Sequence, residues 1–339
     1  MNHGQHSVSN SSTLPWQWQK TKTMKVRKLG YSYLHLTTIG LGTWAMGGGD
    51  WKFGWGDQDD QASINAIHQA LDAGINWIDT AAIYGHGHAE RVVGRAIKGR
   101  RDDIIIATKC GRVWEGDSRE IGKCLRRDSI RREIDASLER LDIDHIDLYQ
   151  IHWPEPDEEI EEGWAAVSEL IDEGKIRYAG VSNFSIEQLK RIQPIHPVTS
   201  LQPPYSMLRR DIESELLPYC DANSIGVIAY SPMQAGLLTG KFTPERVAQL
   251  PDNDWRKSNP YFTQPQFDQH LATVESLKPI SEELGVTLSQ LALAWILRRP
   301  EMTAAIAGAR RPDQITETVK AGEIELSSDV IERLDQILA

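Results

Sequence analysis

Short runs of apolar and β-branched residues alternate along the chain with longer runs whose apolar residues recur every three or four positions. The short runs predict β-strands, and the longer ones predict amphipathic helices. This pattern predicts eight strands, at residues 36–44, 75–81, 103–111, 146–153, 176–183, 198–206, 225–233 and 303–310. Strands that alternate with helices in this way predict an α/β fold, a (β/α)₈ TIM barrel with parallel strands.

Two of the longer runs show how the helices are expected to begin and end. In residues 60–74 the apolar positions fall on one face, and Gly74 is expected to stop the helix. In residues 127–142 the same spacing recurs, and Asp128 is expected to cap the N-terminus.

An open, doubly wound sheet is the alternative arrangement of these elements. Such a sheet usually has fewer strands and carries a Gly-x-Gly-x-x-Gly turn after the first one. The segment GLGTWAMGGGD does not have that spacing, and it precedes a long loop rather than a helix. The barrel is therefore favoured, and the long polar segment 237–267 after its seventh strand is expected to act as a lid or binding loop.

The termini and the composition limit the class of protein. Residues 1–23 are polar and lack the apolar stretch of a secretory signal, so they predict a flexible N-terminal arm, with Trp16 and Trp18 as candidate anchors, before a single domain at 24–339. The absence of any run of about 18 apolar residues argues against a transmembrane helix. A net charge of −11 disfavours nucleic-acid binding, and three scattered cysteines fit a reduced, cytoplasmic protein.

Polar side chains end three consecutive predicted strands. Asp79, Lys109 and His152 each stand at the C-terminal end of a strand, and the alternation of side chains puts them on one face with Trp77, with Ala107, and with Leu148 and Gln150, respectively. In a barrel these strand ends meet at one rim, where active sites are built. Tyr84 follows Asp79 by five residues, close enough for a loop to fold it back over that rim.

Together these four side chains suit proton transfer at a carbonyl or carbinol oxygen. Tyrosine has a reference pKa of about 10, and the nearby ammonium group of Lys109 is expected to lower it. A buried lysine needs a carboxylate to keep its charge, which is the role expected of Asp79. None of the four can supply a hydride, so an organic cofactor is expected to supply it.

Two other interpretations are open. Asp79 and Lys109 can form an ordinary buried salt bridge. His86 and His88 can be metal ligands, but no His-Glu-x-x-His motif and no carboxylate on the last strand complete such a site, so no metal is expected. These two histidines are expected to face solvent or the mouth of the site.

Seven motifs follow one another from about residue 24 to the C-terminus: GINWIDTAAIYGHGHAERVVGRAI, IIIATKCG, SLERLDIDHIDLYQIHWPEP, GKIRYAGVSNFSIEQL, LQPPYSMLRR, IAYSPMQAGLLTGKF and IAGARRPDQI. They resemble those of the aldo-keto reductases, and GTWAMGG with DWKFGWG is similar to the bacterial general-stress and vegetative-protein members. The resemblance implies a (β/α)₈ barrel that binds NADPH across the strand ends. It assigns Tyr84 as proton donor, His152 to orient the carbonyl, and Lys109 with Asp79 to tune the phenol.

The resemblance also implies which residues hold NADP(H). Those near the nicotinamide and its ribose are Gly42, Thr43, Trp44, Asp79, Ser182, Asn183, Gln202 and Tyr230. Those along the pyrophosphate are Ser231, Pro232, Met233, Gly236, Leu237, Thr239 and Lys241. Those at the adenosine end are Gly308, Ala309, Arg310, Gln314 and Glu317, where Arg310 is the expected partner of the 2′-phosphate.

The expected function is an NADP-dependent oxidoreductase that reduces aldehydes or ketones to alcohols. The alternative is a non-catalytic or weakly catalytic NADP-sensing regulatory subunit, like the channel-associated members of the superfamily. A small carbonyl or alcohol substrate is expected, and neither a nucleic acid nor a membrane is an expected partner. Tryptophans in or near the predicted loops predict an aromatic mouth for apolar or sugar-like compounds; they are Trp44, Trp51, Trp55, Trp114, Trp153 and Trp255.

Overall fold

Eight parallel strands close into a barrel, as the sequence pattern predicts. The computed structural model describes residues 24–116, 118 and 120–339, so the predicted arm at 1–23, with Trp16 and Trp18, lies outside the described residues. The strands are β1 (Val26–Lys28), β2 (His35–Thr37), β3 (Ile39–Gly42), β4 (Trp77–Asp79), β5 (Ile105–Cys110), β6 (Arg112–Val113), β7 (Gly122–Lys123), β8 (Ile146–Ile151), β9 (Ile176–Ser182), β10 (Ser200–Gln202), β11 (Gly226–Ala229) and β12 (Met302–Gly308). The barrel order is β3, β4, β5, β8, β9, β10, β11 and β12, with β12 pairing back to β3.

Helices connect the barrel strands and cover them on the outside. They are α1 (Asp60–Asp72), α2 (His88–Ile97), α3 (Arg127–Leu141), α4 (Ile160–Asp172), α5 (Ile186–Ile192), α6 (Leu216–Ala222), α7 (Pro244–Ala248), α8 (Gln266–Glu283), α9 (Leu288–Leu297), α10 (Pro312–Thr318) and α11 (Ser328–Ile337). Two antiparallel pairs lie outside the barrel: β1 with β2, and β6 with β7.

Each predicted strand overlaps an observed strand, but several observed strands are shorter. The strand predicted at 198–206 is observed only as β10, which ends at Gln202. Pro203 and Pro204 follow directly, and proline has no N–H to donate to a neighbouring strand. The strand therefore ends where its hydrogen-bonding capacity ends.

One predicted helix end is confirmed and one is wrong. Gly74 follows α1 with φ +95°, the left-handed conformation that ends a helix. Asp128 does not cap α3, which already begins at Arg127 and has no capping side chain at Arg126. Instead, the Glu162 carboxylate of α4 accepts a hydrogen bond from the Arg127 N–H at 3.0 Å. The neighbouring helix therefore satisfies one N-terminal donor of α3, which the local sequence does not reveal.

The barrel interior confirms which side chains share a face. Trp77, Ala107 and Leu148 point inward from β4, β5 and β8 and form one apolar cluster. Leu29 and Leu36 of the β1–β2 hairpin join that cluster from below, so the hairpin closes the N-terminal end of the barrel. Because side chains alternate along a strand, the polar residues two positions after this layer also point inward, at the opposite end.

Among the described residues, no single helix has the length and apolar composition to cross a membrane. Only α8 and α9 taken together meet that test, and the chain bends by 89° between them. Both helices contribute buried side chains to the apolar core around the barrel, including Leu277, Leu291 and Trp295.

Gly40→Ala in β3 should destabilise the fold, because an added Cβ would lie 2.0 Å from the Trp77 ring inside the barrel. Overpacking of this kind lowers the free energy of unfolding by about 1–3 kcal/mol or more. Gly308→Ala in β12 is the matched control, since the nearest atom to its new Cβ is 3.9 Å away. Urea unfolding measures both variants, and equal stability of Gly40→Ala and wild type would contradict this account of the barrel interior.

Candidate active site

A buried ion pair forms the floor of the site. The Lys109 ammonium lies 2.7 Å from Asp79 Oδ2, and both side chains are at most 4% exposed. Lys109 also donates to the Thr80 carbonyl at 2.8 Å and contacts the Tyr84 hydroxyl at 3.5 Å. These three acceptors match the three N–H donors of an ammonium group, so Lys109 has one well-defined position.

Two amides hold the second oxygen of the Asp79 carboxylate. Gln202 Nε2 donates to Asp79 Oδ1 at 2.8 Å, and Gln150 Nε2 lies 3.5 Å from the same oxygen. Gln150 was not predicted as a site residue, although the alternation along β8 puts it on the inward face between Leu148 and His152. Gln202 was predicted to contact a nicotinamide, and in this structure it also fixes the ion pair.

Tyr84 reaches the rim through a tight turn between β4 and α2. The turn includes Gly85 at φ +62°, and a Cβ there would lie 2.0 Å from the Gly47 carbonyl of the loop after β3. The Tyr84 ring packs edge-on to His152, with ring centroids 5.9 Å apart, and it stacks at 6.3 Å on Trp44. The predicted set of Asp79, Tyr84, Lys109 and His152 is therefore brought together.

Burial dominates the protonation of these groups. It lowers the pKa of Lys109, and the charge and hydrogen bond of Asp79 oppose that effect. Burial raises the pKa of the Tyr84 phenol well above its usual value, and the Asp79 carboxylate adds to the increase. Burial and the positive charges of Lys109 and Arg112 lower the pKa of His152 well below its usual value.

The predicted lowering of the Tyr84 pKa is therefore wrong for this arrangement. Asp79 lies 2.7 Å from the Lys109 ammonium and offsets its positive charge, while the phenol itself is buried. Tyr84 is then a neutral phenol and His152 a neutral imidazole at ordinary pH. Both can donate a hydrogen bond to an oxygen atom placed between them.

A cavity of about 710 Å³ opens above the ion pair. Tyr84, His152 and Asp79 lie at its floor, and every predicted cofactor residue except Leu237 lines it. Leu237 is absent from this lining because its side chain is buried against aromatic residues, namely Phe242, Phe262 and Phe267, so its contact with a cofactor stays a prediction.

The predicted nicotinamide residues form one hydrogen-bonded group beside His152. Asn183 has φ +64°, and its Nδ2 donates to the His152 carbonyl at 3.0 Å. Its Oδ1 accepts from the Tyr230 hydroxyl at 2.9 Å. Ser182 Oγ donates to the Gln202 carbonyl at 2.8 Å. Polar groups and an aromatic ring thus converge next to Tyr84, which fits an aromatic amide such as nicotinamide.

The opposite end of the cavity is suited to phosphate groups. Gln234, Ala235 and Gly236 all have positive φ, but the N–H groups of Gln234 and Gly236 already donate to backbone carbonyls at 2.9 and 3.0 Å. The positive charge at this end therefore comes from side chains. Lys241 and Arg311 line this end, with Gln314 and Glu317 of α10. The cavity therefore joins one end that carries polar groups and an aromatic ring to another end that carries cations. An extended dinucleotide needs this combination.

Arg310 has contacts that the sequence did not predict. Its guanidinium donates to Gln58 Oε1 at 2.5 Å, to the Trp55 carbonyl at 3.0 Å and to the Asp57 carbonyl. The loop between β3 and α1 is therefore fastened to the start of α10. Because three of the five guanidinium N–H groups are used in this way, two remain for a ligand.

The predicted lid segment meets that same loop across the cavity. Trp44 stacks on Trp255 with ring centroids 4.9 Å apart, and the backbone N–H of Trp255 donates to the Gly54 carbonyl at 3.0 Å. The Arg256 guanidinium lies 4.4 Å from the centroid of the Trp55 ring. The two loops thus form a bridge over the middle of the cavity.

The two histidines after Tyr84 have separate partners. His88 Nε2 lies 2.7 Å from Asp60 Oδ1, and the His86 ring packs against Trp114 with centroids 5.3 Å apart. In the part of the chain that the structure describes, no group of three or more His, Cys, Asp or Glu side chains is arranged to hold a metal ion. The described donors therefore offer no metal centre near Tyr84.

Comparisons with known proteins show the family to which the chain belongs. A family model described as the aldo/keto reductase family matches residues 38–339. The chain is 41% identical to the aldo-keto reductase YhdN of Bacillus subtilis (strain 168), over 86% of this chain and 87% of that protein. It is 39% identical to the NADH-specific methylglyoxal reductase of Escherichia coli (strain K12), over 90% and 95%. It is 34% identical to a probable voltage-gated potassium channel subunit beta of Arabidopsis thaliana, over 93% and 97%.

Solved structures show the same architecture. The glycerol dehydrogenase AKR11B4 from Gluconobacter oxydans is similar with a TM-score of 0.83 and 36% identity, covering 94% of this chain and 96% of that one. The holo form of aldo-keto reductase AKR11C1 from Bacillus halodurans is similar with a TM-score of 0.77 and 30% identity, covering 93% and 96%. With the family match spanning nearly the whole described chain and the predicted residues gathered in one cavity, this protein belongs to the aldo/keto reductase family of oxidoreductases.

Proposed function

We propose that the protein reduces aldehydes or ketones to alcohols with NADPH, and that Tyr84 donates the proton. The observation that carries this proposal is the contact of Lys109 with Asp79, Thr80 and Tyr84 on the floor of a cation-lined cavity. A phenol and a neutral imidazole that both face one space suit a carbonyl oxygen, which accepts hydrogen bonds from both.

Each residue of the set has a distinct part in the proposed reaction. When bound, the reduced nicotinamide supplies a hydride to the carbonyl carbon. Tyr84 donates its proton to the carbonyl oxygen, on which negative charge develops, and His152 donates a hydrogen bond that orients that oxygen. Lys109 stabilises the phenolate that remains, and Asp79 keeps Lys109 in place. Tyr230, Ser182, Asn183 and Gln202 bind the nicotinamide end.

The preference for NADP(H) over NAD(H) rests on the cations at the adenosine end. Arg310, Arg311 and Lys241 line this end of the cavity, and a 2′-phosphate adds charge that a guanidinium binds well. The Glu317 carboxylate already accepts from Thr287 Oγ1 at 2.8 Å and lies 3.9 Å from Lys241. It is therefore less available to hold the free ribose hydroxyls of NAD.

A regulatory subunit that senses NADP(H) is the second candidate. A relative named as a potassium channel subunit beta aligns with 93% of this chain, which is the observation that favours this candidate. The complete set of Asp79, Tyr84, Lys109 and His152 favours catalysis instead. Tight NADPH binding without turnover on any carbonyl compound, together with capture of a channel subunit, would favour the sensor.

Tyr84→Phe should abolish carbonyl reduction and leave NADPH affinity nearly unchanged. The ring still fills the same space, but the proton donor is lost, which costs about 10²–10⁴-fold in kcat. Turnover is followed by the absorbance of NADPH with a panel of aldehydes and ketones, and affinity by quenching of tryptophan fluorescence. Near-normal turnover in this variant would exclude Tyr84 as the proton donor.

The rate of reduction should be nearly independent of pH between about pH 6 and pH 9, with an aldehyde that does not ionise in that range. Burial raises the pKa of Tyr84 and lowers the pKa of His152, so the phenol keeps its proton and the imidazole stays neutral throughout. A pH profile of kcat for the wild type measures this. A fall in kcat between pH 7 and 9 would mean that the Tyr84 pKa is lowered, and a fall through the ordinary range of histidine would mean that the imidazolium is the active form.

Arg310→Ala should weaken NADPH binding more than NADH binding. A charge-assisted hydrogen bond contributes about 1.5–3 kcal/mol, so the preference should fall by roughly ten- to a hundred-fold. Because Arg310 also holds Gln58, the variant Gln58→Ala is the control: it loosens the loop and keeps the guanidinium. Equal losses for NADPH and NADH in Arg310→Ala, as in Gln58→Ala, would show that Arg310 only fastens the loop.

A further inference from the structure

The β6–β7 hairpin brings two cations together at the edge of the cavity. Arg112 of β6 pairs directly with Lys123 of β7 in the antiparallel register. Like charges directly opposite one another destabilise a strand pair. Both residues line the cavity, so this unfavourable pairing lies where a ligand would bind.

Among the described residues, one carboxylate lies between these two cations. Glu155 Oε2 is 2.6 Å from the Arg112 guanidinium and 2.9 Å from the Lys123 ammonium. The hydrogen bonds from Arg112 and Lys123 lower the pKa of Glu155, which keeps the carboxylate ionised. Two positive charges and one negative charge leave this cluster with an excess of one positive charge.

Arg112 has a donor for which the described part of the chain supplies no acceptor. Its side chain is only 12% exposed, and its Nη1 is buried without a hydrogen-bond partner. Its guanidinium lies 5.6 Å from the centroid of the Trp153 ring, and its charge acts on His152 at the floor of the cavity. An arginine donor left without an acceptor when buried is costly, so its retention needs a reason.

A purely structural arginine in the same chain looks different. Arg27 donates to three backbone carbonyls, those of Leu297, Arg299 and Met302, at 2.8, 3.2 and 2.5 Å. Both terminal nitrogens of Arg27 therefore have acceptors supplied by the fold. At Arg112, the described residues supply an acceptor to Nη2, in Glu155, and none to the buried Nη1.

The charge of the whole lining supports an anionic ligand at both ends of the cavity. The chain carries a net charge of −11, yet the described residues that line this cavity include eight lysines and arginines against three carboxylates. Five of the cations belong to the lid segment or to the start of α10, at the end proposed for the cofactor: Lys241, Arg246, Arg256, Arg310 and Arg311. Arg112 and Lys123 lie instead on the hairpin beside His152, where the substrate would enter.

We propose that the substrate is an aldehyde or ketone that also carries a carboxylate or a phosphate, and that Arg112 and Lys123 bind this anionic group. This inference rests on the proposed reductase function. An anionic oxygen at Arg112 Nη1 supplies the missing acceptor, and the excess charge of the cluster is neutralised when it binds. Arg112 is then a specificity-determining residue, and Glu155 sets the position of both cations.

The experiment compares isosteric substrates that differ in charge. The values of kcat/KM are measured with NADPH for 3- and 4-formylbenzoate and for the corresponding formylbenzamides, which are uncharged. The readout is the ratio of the two values within each protein, so a general loss of activity cancels. A second readout is the binding of benzoate and benzamide to the NADP⁺-loaded protein, followed by tryptophan fluorescence.

Wild type should prefer the carboxylate for at least one isomer, and Arg112→Met should lower that ratio by about ten- to a hundred-fold. Lys123→Met should lower it by less, because this ammonium is more exposed. Arg131→Met is the matched control, because Arg131 pairs with Glu169 and Glu173 on the helical surface. The ratio of kcat/KM values for this variant should equal that of wild type.

The outcomes separate the two proposals. Reduction of the benzamides with a ratio that Arg112→Met does not change would overturn the anion site and leave the reductase function intact. Failure to reduce any carbonyl compound would overturn the proposed function, and the benzoate arm would still decide the anion site. In the benzoate-binding measurement, equal affinities of the wild type for benzoate and benzamide would overturn the anion site. The same benzoate affinity in wild type and Arg112→Met would overturn it as well.

Discussion

The buried ion pair between Lys109 and Asp79 is the interaction on which the rest of the site depends. Moving two charges out of water costs several kcal/mol for each ion, and a buried pair persists only where further hydrogen bonds complete it. The Thr80 carbonyl and the Gln202 amide supply those bonds here. Because the loss of either partner would leave a buried charge, the ends of β4, β5 and β10 are held in one arrangement, and Tyr84 is positioned against it.

The alternation of side chains along the barrel strands explains why charge and apolar packing lie so close together. Trp77 fills the barrel, and two residues later Asp79 forms the ion pair at the rim. Leu148 and His152 of the β8 segment repeat this order, with Gln150 between the two layers. The apolar layer closes the barrel from below, while in the lining of the cavity above it the lysines and arginines outnumber the carboxylates by eight to three. The site thus has a buried ion pair at its floor and an excess of positive charge along its walls, which suits the proposed anionic ligands.

Much of this could be predicted from the sequence, because it depends on local periodicity. Asp79, Lys109 and His152 end strands of a regular barrel, and their position follows from the strand pattern alone. What the sequence did not reveal depends on contacts between distant segments. The Glu162 carboxylate replaces Asp128 at the start of α3, and Arg310 fastens a loop some 250 residues earlier in the chain.

The direction of the Tyr84 pKa also lay beyond sequence reasoning. Neighbouring residue types can be read from a sequence, but the burial that raises the pKa of the Tyr84 phenol cannot. The unused donor of Arg112 likewise appears only when its surroundings are known, because the hairpin that carries it lies outside the regular barrel pattern.

The most direct test of the central claim is a double-mutant cycle on the ion pair. Single-turnover rates of carbonyl reduction are measured for the NADPH-loaded wild type, Asp79→Asn, Lys109→Met and the double variant. If the two side chains act as one unit on Tyr84, the second substitution adds little to the loss caused by the first. Strictly additive losses would mean that Asp79 and Lys109 act independently, and would contradict the account.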